Sequence, residues 1–169
     1  AEANMMCIGE AYASLGYNAW VSTFCPFFNW NVLRRIAINQ QERMESITDP
    51  EGWLSEGHTL DLTFLATASN FDTQTNGATH MGNDDILVFR ETGHLKVIDV
   101  SCPVQLLEIM KWILEGGKGL VYLRIMRAAS GTIHDDGFRF QYGKGYSVRQ
   151  TLNPRAVIVS SGRGVHEAV

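Results

Sequence analysis

Three stretches of this 169-residue chain combine residue types and spacings that suit ligand chemistry. The first, Thr23-Phe24-Cys25-Pro26-Phe27-Phe28-Asn29-Trp30, holds four aromatic rings within seven positions, so a flat ligand could stack there. The competing reading is core packing, the commoner fate of aromatic clusters. The second stretch, Ala68 to His80, is polar and rich in turn formers. It ends in a histidine just before an expected helix start near Asn83 and Asp84. No residues at metal-ligand spacing accompany His80, which argues against zinc chemistry and leaves a surface or capping role as its bland alternative. The third is Glu2, an acid in the first turn of a helix, where the helix dipole alone would favour it.

The elements that must position these residues follow from periodicity. Met5, Ile8, Tyr12 and Leu15 recur at steps of three and four, predicting a helix that carries them on one face and stops at Gly16. Ala19 to Ser22 suits a buried strand, and helical spacing returns over Asn31 to Glu45. Thr48 to Thr59 reads as an inserted loop, and Leu60 to Ala66 as a second strand. Further strands are expected at Leu95 to Val100, Leu120 to Arg124 and Ala156 to Ser160, with an amphipathic helix at Val104 to Glu115. Near-continuous apolar strands alternating with helices specify an α/β fold: three α/β/α layers around a mainly parallel sheet. In such folds ligands bind beyond the carboxyl ends of the strands, where both loops above would lie.

The bulk properties bound the function. The length fits one domain. A net charge of -4 and fourteen scattered Lys and Arg residues exclude a nucleic-acid footprint. Cys7, Cys25 and Cys102 form no paired framework and read as reduced, buried thiols of a cytoplasmic protein. The chain has neither an apolar membrane span nor a signal-peptide pattern. It opens at Ala1 with a helical pattern already under way, and is expected to be a fragment.

The order Glu2-Ala3-Asn4-Met5, then Thr23-Phe24 with Phe27 and Trp30, then Asn76-Gly77-Ala78-Thr79-His80, resembles the central domain of transketolases. In that family Glu-His-Ala-Met, Thr-Phe-x-x-Phe-x-x-Tyr and Asp-Gly-Pro-Thr-His occupy these places. Leu95 to Arg127 is similar to the family's final strand-helix-strand, and Arg155 to Val169 to the start of its carboxyl-terminal domain. The resemblance therefore divides the chain into a pyrimidine-binding domain, 1–152, and a truncated beginning of the next domain, 153–169.

The resemblance implies a thiamine diphosphate-dependent transferase that moves a two-carbon ketol unit between sugar phosphates. Glu2 matches the glutamate bonded to the aminopyrimidine; Phe24, Phe27 and Trp30 match the aromatic wall, with Trp30 replacing a tyrosine. A carboxyl in apolar surroundings has its charged form disfavoured and so can donate to a ring nitrogen. Asn76 and His80 match substrate contacts, and Arg127, or failing it Arg124, matches an arginine that binds the acceptor's phosphate. Asn76 stands in place of an aspartate, and Ala68 in place of another substrate-contacting histidine.

No stretch resembles the family's motif for a divalent metal and the diphosphate. The resemblance thus implies that a domain outside this chain holds Mg or Ca, that the site forms within a homodimer, and that this chain alone is inactive. The pyrimidine-binding part of a 2-oxoacid dehydrogenase or a deoxyxylulose phosphate synthase, or a non-catalytic assembly domain, are the alternatives.

Overall fold

The computed structural model describes residues 1–48, 58–71 and 75–169. Its centre is a four-stranded, wholly parallel sheet in the order β1-β2-β4-β3, with β1 Asn18–Phe24, β2 Asp61–Thr67, β3 Leu95–Asp99 and β4 Leu120–Arg124. The helices are α1 Glu2–Ser14, α2 Trp30–Thr48, α3 Asp85–Phe89, α4 Pro103–Leu114 and α5 Arg163–Ala168. All of β4 is buried, as a strand with neighbours on both edges and helices over both faces requires. One core, which includes Met6, Leu33, Ile36, Phe64 and Tyr122, lies under α1 and α2. The other joins Ile98, Val121 and Leu123 to Ile109 and Ile113 of α4. The three expected layers are present.

Register decides what reaches the carboxyl edge. Thr67, the last residue of β2, pairs with Phe24, the last of β1. One step inside, Arg124 lies level with both Ala66 and Asp99. The loops 25–29 and 68–84 leave from this edge, on the side the sequence designates for a ligand.

Several expectations need correction. The helix α1 stops before Gly16, whose φ of +85° suits glycine, but it buries Met6, Gly9, Glu10 and Ala13 rather than Met5, Ile8, Tyr12 and Leu15. Gly9 allows the close approach: a Cβ there would stand 2.5 Å from Val21 Cγ1. Glu10 is buried because Arg35 and Asn39 of α2 bond its carboxylate. Cys7 is exposed, since one residue beyond Met6 the helix has turned off the buried face; Cys25 and Cys102 are buried as expected.

Ala156 to Ser160 does not join the sheet, and Val157, Ile158 and Val159 are exposed. A β-branched run becomes a strand only where a neighbour offers backbone partners. From 125 to 162 the chain has turns and bends without helix or strand. It packs on α4 through Phe140 and Tyr142 against Trp112. Of the expected inserted loop, Thr48 ends α2 and residues 49–57 lie outside the described residues.

Candidate functional site

Five of the seven residues proposed from sequence meet at the carboxyl edge. Phe24 closes β1 in an extended conformation, and the following 3-10 turn, Cys25–Phe27, carries Pro26, which presets its φ. The turn brings Phe27 back over Phe24, with ring centroids 6.0 Å apart and planes 27° from parallel. His80 ends a second 3-10 turn, Ala78–His80, entered through Gly77 at a φ of +74°. Its ring stands edge-on to Phe24 at 5.5 Å and to Phe27 at 4.9 Å. The Thr79 hydroxyl lies 2.8 Å from His80 Nδ1. Arg127, three residues beyond β4, holds its guanidinium carbon 5.6 Å from the Phe24 ring centroid and donates to Asn76 Oδ1. The result is an aromatic wall with a histidine and a cation beside it, suited to a flat ring bearing anionic or oxygen-rich substituents.

Glu2 and Trp30 are placed differently. The Asn29 N–H donates to Met6 Sδ at 3.4 Å, seating the start of α1 against the loop that follows β1. Glu2 lies one helical turn before Met6 on the same face, and so at the same edge of the sheet. Its side chain is 40% exposed, and the amino terminus lies 3.5 Å from one carboxylate oxygen. Trp30 opens α2 and lines a groove with Arg34, Val88 and His94.

Beneath the wall is a buried polar cluster that sequence reasoning missed. Arg124 Nε donates to Asp85 Oδ2 at 2.8 Å, and both side chains are almost fully buried. Arg124 Nη2 donates to Asp85 Oδ1, to the Gly82 carbonyl at 3.0 Å and to Asn70 Oδ1 at 3.4 Å. Arg124 Nη1 forms a further buried ion pair with Asp99, 3.0 Å from its Oδ1. Tyr122 donates its hydroxyl to Asp85 as well. Burial pushes the Asp99 carboxyl above its ordinary range, against the pull of Arg124.

Arg124 is therefore committed to protein partners and is not the substrate-facing arginine that the sequence kept as a fallback. The available signal was an arginine ending the apolar run Leu120 to Leu123, since a buried cation must be paired. Burial first, and the charge of Asp85 second, push the Cys25 thiol up to about 12, so it is no nucleophile. Ala68 is fully buried at a left-handed φ of +58°, and its methyl takes no part in the exposed wall.

No protein-family model matches the chain, and no curated protein does either. Among solved structures, it superposes on one described as "Split gene transketolase, inactive beta4 tetramer" with a TM-score of 0.59 and 21% identity. It also superposes on transketolase from Campylobacter jejuni subsp. jejuni NCTC 11168, with a TM-score of 0.66 and 14% identity. The fold is transketolase-like. Each match covers 89% of this chain, but only 43% and 21% of the respective transketolase chains. At these identities the likeness is one of fold. Within this transketolase-like fold, the described residues contain no group of three or more His, Cys, Asp or Glu that could hold a metal ion. They also contain no helix long and apolar enough to cross a membrane.

Proposed function

We propose that this chain is the pyrimidine-binding central domain of a transketolase-type enzyme transferring a two-carbon ketol unit between sugar phosphates. The observation that carries this reading is the convergence of Phe24, Phe27, His80 and Arg127 at the carboxyl edge of a transketolase-like sheet. The donor set fits one half of thiamine diphosphate: aromatic faces for the pyrimidine, and a glutamate at the same edge for its ring nitrogen. It lacks the diphosphate and metal half, which another domain, in a homodimer of cytoplasmic enzyme, would supply. The division into 1–152 and 153–169 belongs to this proposal.

Bound thiamine diphosphate supplies the electron sink for carbon–carbon bond cleavage and formation. Phe24 and Phe27 exclude water from the pyrimidine face and fix its tilt. Glu2 would supply the carboxyl that hydrogen-bonds the ring nitrogen. His80 and Asn76 bond the oxygens of the ketose, and Arg127 binds the phosphate of the acceptor.

The test uses the complete polypeptide with its diphosphate-binding domain, and follows exchange of the thiazolium C2 proton of the bound cofactor by quenched-flow NMR. A Glu2→Gln change is expected to slow exchange by about a hundredfold or more, the scale of general acid–base catalysis. Exchange indifferent to the change would favour a second reading, a non-catalytic assembly domain. That reading draws on Ala68, a buried methyl where transketolases have a substrate-contacting histidine.

A further inference from the structure

The loop that carries Asn76 and His80 is pinched at its base. Asn70 and Gly82 exchange backbone hydrogen bonds, N–H to carbonyl at 2.9 Å and 3.2 Å, so the chain leaves and returns through one neck. Gly82 sits so tightly on Cys25 that a Cβ there would lie 2.4 Å from the cysteine Cβ. Backbone strain concentrates at the same place, with Ala68 and Asn70 both at left-handed φ. A strained neck persists only where its surroundings hold it.

Arg124 braces it from the sheet, beside the Ser69 N–H bond to the Ile125 carbonyl at 3.2 Å and the packing of Gly82 on Cys25. One nitrogen, Nη2, donates to Asn70 on one side of the neck, to the Gly82 carbonyl on the other, and to Asp85, which begins α3 just beyond. The remaining edges of the guanidinium face Asp85 and Asp99. We infer that Arg124 is a positioning residue: its planar fork locks the loop neck and thereby sets His80 against Phe24 and Phe27.

Lysine makes the distinction testable. It keeps a positive charge between Asp85 and Asp99 but presents a single point of donation instead of a fork, so it cannot hold the ion pairs and both sides of the neck together. This role rests on the proposed function only for what His80 would contact. The measurement needs neither cofactor nor turnover, so the failure of one leaves the other standing.

The experiment is NMR of the full chain with labelled histidine and isoleucine. The His80 ring protons are expected to carry ring-current displacements from Phe24 and Phe27, and Arg124→Lys is expected to abolish them. The methyls of Ile109 and Ile113, in the core on the opposite face of the sheet, should stay in place. Displacements retained in a variant with those methyls in place would overturn the proposal. If Arg124→Lys does not fold, Asn70→Gly serves instead, since it removes one acceptor of the fork while suiting a φ of +60°. Partial loss of the displacement supports the role, and full retention overturns it.

Discussion

Arg127 and Arg124 lie three residues apart and have opposite fates, which shows what fixes the role of a charged side chain. Arg124 ends a strand buried on both faces, so two carboxylates must meet it. Arg127 has left the sheet and lies across the half-buried Phe24 ring, donating to the neutral amide of Asn76 on the loop opposite. Among the described residues no carboxylate pairs with it. Replacing Arg127 with Ala is expected to weaken binding of a phosphorylated ketose by about 1.5–3 kcal/mol, the worth of a charge-assisted hydrogen bond. Calorimetric titration against the unphosphorylated sugar, which should lose little, checks this. The aromatic segment and His80 stood out because their composition departs from their surroundings, whereas Arg127 was named only by the resemblance to transketolases. The Arg124 cluster was not legible, because Asp85, Asp99 and Arg124 become neighbours only through strand register.

Among the elements, α1 gives the clearest view of what periodicity can and cannot tell. Steps of three and four identified the helix and Gly16 its end, yet the face buried is the one carrying Gly9 and Glu10, the two residues least expected there. A glycine that lets a helix settle onto β1 and an acid neutralised by Arg35 take the buried face while Ile8, Tyr12 and Leu15 stay exposed, because contact distance and pairing are properties of two elements together. Gly9→Ala tests this. Helix propensity favours alanine by about 1 kcal/mol. The new methyl meets Val21, which is itself buried, and overpacking of that kind costs about 1–3 kcal/mol. Net destabilisation in urea melts is the expected outcome, where a solvent-facing helical glycine would give a gain. Ala156 to Ser160 teaches the converse: its composition was read as a strand, yet it pairs with neither edge strand of the sheet, β1 or β3.

Across the whole molecule, the buried ion pairs tie α3, β3 and β4 into one unit. Ser161 extends the tie by donating its hydroxyl to Asp99 at 2.9 Å. Their weight can be judged against a surface pair such as Arg90 with Glu91, worth at most about 1 kcal/mol. Asp85→Ala would break the two-pronged buried pair with Arg124 and leave Asp99 as its carboxylate among the described residues, at a cost of about 3–5 kcal/mol, a large fraction of the roughly 5–15 kcal/mol that holds a domain together. A drop of that size in chemical denaturation, with the Arg90→Ala variant almost unchanged, is the expected result.

The strand order carries a consequence for how the chain acquires its structure. β4 is the last strand in sequence, yet it lies between β2 and β3, and β3 bonds to no other strand. Until residue 124 is available, β3 is an orphan, the two aspartates that face Arg124 have no counter-charge, and α4 has half a surface to cover. The sheet must therefore close from its middle by a late insertion, rather than grow outward from a hairpin. Contacts this distant in sequence make folding slow. During synthesis, the aromatic edge at Phe24 and Phe27 would wait, without the loop that His80 is fixed in, until the last strand locks into place.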